Sequence, residues 1–224
     1  MNKNQKSRIL FSLIIGQILF ITIPVFSQTT QQLVKANAMS NSSNILKIDS
    51  ELPFDAAIKG ISIPAAVKDN LKLVNVEYYG FDGLLHRGQL VVNKNVANDV
   101  VEIFSFIKES KFPVEKVKPI ENYNWSDEKS MRDNNTSAFN YRFVSGTKIL
   151  SMHASGLAID INPFQNPYIK NGKISPEGAK YNPNAKGTLT FDSPVVKEFK
   201  KRGWTWGGDW KSLKDYQHFQ KELK

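Results

Sequence analysis

LKLVNVEYYGFDGLLHRGQLVVN, Leu71 to Asn93, alternates apolar and polar side chains on both sides of Gly80–Gly83. Its arms are rich in β-branched and aromatic residues, which predicts two antiparallel strands joined by a turn. Downstream, VANDVVEIFSFIKESKFP carries Val96, Val100, Ile103, Phe104 and Ile107 at helical spacing and stops at Pro113. That is the pattern of an amphipathic helix. VEKVKPI reads as another short strand, and the polar stretch from Ser126 to Ser137 reads as a loop.

Further on, GLAIDINP sets Leu157, Ile159 and Ile161 against Ala158, Asp160 and Asn162, a strand with a polar face closed by Pro163. Phe164 to Thr190 is dense in proline and glycine, a long loop-rich excursion. DSPVVKEFKKRG has Ser193 as N-cap, Pro194 at the first helical position and Gly203 past the end, so it is a helix. The tail, GWTWGGDWKSLKDYQHFQ, is aromatic with glycines in its middle. Strands and helices do not alternate regularly, and no internal repeat is present. The expected class is α+β, a small antiparallel sheet flanked by helices.

The 224 residues suit one domain with a sizeable core. There is no cysteine, which excludes disulfides, thiolate metal sites and a cysteine nucleophile. Any metal site must therefore use histidine and carboxylate. Lys3, Lys6 and Arg8 precede an apolar run from Ile9 to Phe26, and Val25 and Ser27 suit a cleavage site before Gln28. Residues 1–27 thus read as a secretory signal peptide, with an uncleaved membrane anchor as the alternative. Either way the rest of the chain is expected to work outside the cytoplasm. Residues 28–50 are polar and read as a linker, and residues 51–224 as the folded domain. Removing the three basic residues of the leader from the formal +9 leaves +6. That charge is scattered, with no arginine-rich stripe of the kind nucleic acid requires, and an anionic cell-wall polymer is as good a partner.

SMHASGLAIDINP, Ser151 to Pro163, holds one of only three histidines seven residues before an aspartate. His153, Asp160 and the distant His218 together make two imidazoles and one carboxylate, the ligand count of a catalytic zinc site that keeps a position for water. Asp215, three residues before His218, is a candidate proton acceptor, and Arg142 a candidate donor to a developing oxyanion. Spacing alone leaves ordinary readings open. A histidine often serves as a hydrogen-bonding core residue, Asp160 could cap a turn, and Asp215 with His218 could sit on a terminal helix. Trp204, Trp206 and Trp210, beside Asp209, line a substrate cleft in one reading and pack a core in the other. His86 reads as structural.

The two motifs together resemble the zinc peptidases of bacterial cell-wall peptides, the D-alanyl-D-alanine carboxypeptidase and L-alanyl-D-glutamate endopeptidase family. The Ser-x-His-x-x-Gly-x-Ala-x-Asp signature is met by Ser151, His153, Gly156, Ala158 and Asp160, and a closing acid-x-x-His by Asp215 and His218. The resemblance spans roughly residues 74 to 220, including the hairpin and FNYR. It implies a hedgehog- or D-Ala-D-Ala-peptidase-like fold with the zinc site on the sheet. It assigns Zn2+ to His153, Asp160 and His218, the base to Asp215, and the substrate carbonyl to Arg142, with Arg132 a nearby rival. Beside these, Ser151 is read as holding substrate or a ligand, or else as a simple strand-end residue, and from the aromatic tail Trp206 and Asp209 are candidate substrate contacts. The implied substrate is a peptidoglycan stem peptide. An Asp at 215 followed by His-Phe resembles the branch that cuts between L-Ala and D-Glu. D-alanyl-D-alanine carboxypeptidase and a non-catalytic cell-wall binding module are the alternatives.

Overall fold

The computed structural model describes residues 46–223, so the leader expected at 1–27 and most of the linker lie outside the described residues. Strands β2 (Leu71–Tyr79) and β3 (Leu85–Asn93) form the expected hairpin, in register from Leu71 opposite Asn93 to Tyr79 opposite Leu85. A third strand, β1 (Leu46–Ile48), adds to β3 in parallel. Strand β1 therefore falls inside the stretch read as the linker. The physical reason is anchoring by distant groups: Ser50 Oγ and the Leu52 amide both donate to Gln89 Oε1, at 2.8 and 2.6 Å. Three residues without strong periodicity gave no local sign of this pairing.

This sheet is covered on both faces because its strands alternate between two cores. Val74, Val76, Tyr78, Leu90 and Val92 face the helix α1 (Ala97–Glu109), which buries Val100, Ile103, Phe104 and Ile107 against them. Leu71 and Val91 point the other way and pack with Ala57, Ile58 and Phe139. Strand β4 (Lys116–Val117) pairs in parallel with β5 (Asn135–Thr136). The segment between them is not wholly loop. It contains α2 (Asp127–Arg132), whose N-cap Ser126 accepts from Lys129 N, and an Arg132–Glu128 ion pair spans its length. A polar helix this short has no apolar stripe to betray it.

The second half of the chain builds a three-stranded antiparallel sheet from β6 (Ala158–Asp160), β9 (Thr205–Trp206) and β11 (His218–Gln220), with β11 in the middle. The excursion folds its own hairpin, β7 (Tyr168–Lys170) with β8 (Lys173–Ser175), and β10 (Lys214–Asp215) lies along β7. Helix α3 (Pro194–Lys201) starts after Ser193 and ends before Gly203, as the pattern predicts, and it buries Val195, Val196 and Phe199. The architecture is mixed α and β with small antiparallel sheets. Among the described residues no helix is long and apolar enough to cross a membrane.

Phe219 locks the second sheet to α3. Its ring stacks on Phe199 at 3.8 Å and is fully buried. Truncation, Phe219→Ala, is expected to cost about 3–5 kcal/mol in chemical denaturation. A loss under about 1 kcal/mol would mean that the strand carrying His218 is held by something else.

Candidate metal centre

Strand register brings Asp160 and His218 together. They are directly opposed partners on β6 and β11, 58 positions apart in sequence, and cross-strand partners share a face. His153 arrives from a 3-10 turn, Met152–Ser155, whose N-cap Ser151 accepts from His153 N at 3.3 Å. Gly156 closes that turn at φ +67, and a Cβ there would lie 2.6 Å from Asn93 N. The glycine of the motif is thus needed twice, for a left-handed conformation and for close approach to β3.

The three side chains are buried, and their polar atoms converge. His153 Nε2 lies 3.2 Å from Asp160 Oδ2 and 3.2 Å from His218 Nδ1, and His218 Nδ1 lies 3.0 Å from Asp160 Oδ1. Four ligands at zinc distances around a tetrahedral ion stand about 3.3 Å apart. The observed spacing is close to that, and among the described residues this is the one group of histidines and acids that converges so. Each imidazole also has its other nitrogen occupied. His153 Nδ1 contacts Ala138 O at 2.5 Å and His218 Nε2 contacts Gln220 Oε1 at 2.9 Å. With neutral acceptors there, the lone pairs left free are those that converge. The residues present therefore fit zinc.

Charge is concentrated here. Burial alone would push Asp160 up, but His153 and then His218 hold its carboxyl well below the usual carboxylate range. Burial pulls His218 down, yet the Asp160 carboxylate, then Asp215 and Gln220, push it up to about 9. A metal must displace that proton. Zinc affinity is therefore expected to rise with pH up to about 9, and competition against a chelator at several pH values would measure the slope. A flat profile would mean that His218 is not a ligand.

Asp215 sits on β10 beside this group. Its carboxyl is pushed up to about 7, first by burial and second by the Asp160 charge, with His218 and His153 pulling the other way. One of its oxygens, Oδ1, is buried with no hydrogen-bond partner. The chain reaches this arrangement through Gly207, where a Cβ would lie 2.4 Å from Asp215 O and 2.8 Å from Asp215 Cβ. Gly207→Ala must therefore move Asp215. An activity loss of about 10²-fold with zinc retained is expected, and steady-state kinetics with metal analysis would test it.

The remaining candidates are placed less centrally. Arg142 pairs with Asp127 at 2.9 Å and its Nη1 contacts Phe143 O at 3.5 Å, while its Nε is buried and unpartnered. Its backbone carbonyl accepts from Ser151 N, which ties it to the segment bearing His153. Arg132 instead pairs with Glu128 and Glu177. Trp206, expected in the cleft, is a core residue: it is 3% exposed and its Nε1 donates to Tyr216 O. Asp209 is turned to Lys200, at 2.7 Å. Trp210 is the tryptophan that borders the centre, half-buried with its ring 5.4 Å from that of His218. Asp127, Ala138 O and Gln220 went unnoticed in the sequence. For Gln220 alone there was a signal, since it follows His218 by two residues and a strand places such residues on one face.

A cavity of about 260 Å³ lies elsewhere, at the turn of the first hairpin, with Asp49, Asp82, Glu115 and Lys118 in its wall. His86 stands there between Asp49 at 3.0 Å and Asp82 at 3.1 Å, one on each ring nitrogen. Carboxylates on opposite sides of a ring share no point for a metal. The donors that do converge are those of the buried cluster, His153, Asp160 and His218.

Residues 145–221 match the family model described as D-alanyl-D-alanine carboxypeptidase. That span holds His153, Asp160, Asp215 and His218, and it stops short of Arg142 and the first hairpin. The resemblance expected from about residue 74 is thus carried by the second half of the chain. Over the matched residues the chain is similar to a peptidase family. No curated protein and no solved structure matches the chain.

Proposed function

We propose, from that match and from the geometry of the centre, that the chain is a zinc-dependent peptidase of peptidoglycan stem peptides, cutting between L-Ala and D-Glu. The observation that carries the reading is the convergence of His153 Nε2, Asp160 and His218 Nδ1 within 3.0–3.2 Å of one another, beside Asp215. Bound there, zinc supplies a Lewis acid that polarises a carbonyl and makes water acidic near neutral pH. Asp215, buried beside the centre, takes the proton of the attacking water and passes it to the leaving amine. Arg142 is the nearby permanent cation, and Asp127 orients it for the substrate carbonyl. No covalent intermediate is required, in keeping with a chain that has no cysteine.

The choice of bond rests on DYQHFQ, with Asp rather than Glu three residues before His218. The description of the matched family favours a second reading, removal of the terminal D-Ala. The fold is read as that of the D-Ala-D-Ala peptidases. Residues 1–27 are read as an export signal, so the substrate is met in the periplasm or cell envelope.

A defined disaccharide-pentapeptide, incubated with the purified protein plus zinc or plus chelator, separates these readings by mass spectrometry. Release of everything beyond L-Ala, abolished by chelation, is the expected result. Loss of a single D-Ala moves the assignment to carboxypeptidase. No product from this substrate or from cross-linked wall leaves a binding module.

A further inference from the structure

Resting on the zinc reading and deepening it, we propose that Gln220 is the positioning residue that fixes His218 as a ligand through Nδ1. A neutral imidazole has one N–H, and the partner of each nitrogen decides which one keeps it. Gln220 Oε1, 2.9 Å from His218 Nε2, accepts that proton in a hydrogen bond and leaves the Nδ1 lone pair facing Asp160 and His153. The other histidine is served in the same way by a backbone carbonyl, Ala138 O. Among the described residues Gln220 is therefore the side chain that hydrogen-bonds the outer nitrogen of the pair.

Its place is rigid. Gln220 sits on the middle strand, paired with Ala158 on one side and Thr205 on the other, and Thr205 Oγ1 donates to Gln220 O at 3.3 Å. An amide also suits the charge of the site. Asp160 and Asp215 already balance a dication, so a third carboxylate would leave the centre negative, whereas an amide sets the tautomer without adding charge.

The test compares wild type, Gln220→Leu and Gln220→Glu by zinc competition against a chromophoric chelator, with 15N NMR of the His218 ring in the zinc-loaded protein. Leucine is similar in size and accepts nothing, so zinc affinity is expected to fall about 10–100-fold. Glutamate restores the acceptor and is expected to restore affinity to within an order of magnitude of wild type. The wild-type spectrum is expected to show the proton on Nε2. Leucine binding zinc as tightly as wild type, or a wild-type proton on Nδ1, overturns the inference. The spectrum decides by itself if the leucine variant does not fold. A merely structural role would lower the melting temperature and leave affinity and tautomer unchanged, which also overturns it. Wild type that binds no zinc at all overturns the zinc reading, a different failure.

Discussion

Asparagine in place of Asp215 is expected to cut peptide hydrolysis by about 10²–10⁴-fold, the usual worth of a positioned proton acceptor, while zinc stays bound. The same substitution should raise the melting temperature of the metal-free protein at about pH 8 and leave it unchanged at about pH 3. Both effects have one cause. The folded carboxyl titrates at about 7 against an ordinary 3.8, because it is buried and lies beside Asp160. The unfolded chain gives up that proton at lower pH, so stability falls as pH rises from about 4 to about 7 and stays lowered above it. Asparagine cannot ionise and escapes the penalty. A group that costs stability and sits in a buried charged centre is the pattern of a residue retained for chemistry. Full activity in the variant would remove Asp215 from the reaction. An unchanged melting temperature at pH 8 would show that the carboxylate ionises without penalty.

Asp160→Ala is expected to abolish zinc binding and to destabilise the metal-free protein by about 3 kcal/mol, because it strips a buried imidazole of its counter-charge. The pH window follows from the two partners. His218 is raised to about 9, so its contribution is whole below about 6.5 and is lost as pH rises through 9. Asp160 is lowered, so its contribution is whole above about 3.8 and is lost as pH falls through its folded value. The gap between wild type and variant should be widest between about pH 4 and 6.5 and narrow above about 9. Urea denaturation at about pH 5 and about pH 10, with chelator competition for the metal, measures both. An equal gap at both pH values would mean that the pair is not ionised in the folded chain.

Local patterns in the sequence were enough for the elements that local energetics dictate. The Leu71–Asn93 hairpin follows from alternation around Gly80–Gly83, α1 from its apolar spacing, and α3 from Ser193-Pro194 and Gly203 at its ends. Elements held by distant partners were not legible. β1 depends on β3 and Gln89, and α2 has no apolar face to announce it. Tryptophan density near Asp209 left cleft wall and core both open, and Trp206 went to the core while Trp210 stayed at the rim. A side chain with a large apolar ring serves either place equally well, and only packing chooses.

For the centre itself, the sequence alone determined the kind of donor, histidine and carboxylate in a chain with no cysteine, and two motifs that resemble a peptidase family singled out His153, Asp160 and His218. The tertiary structure decided that they converge. The register of β6 against β11 sets Asp160 opposite His218, and Ala138 O and Gln220 select the nitrogens that face inward. Gly207 lets Asp215 come close enough to share their field. Those choices depend on distances between atoms far apart in the chain, and such distances exist only once the backbone has closed around them.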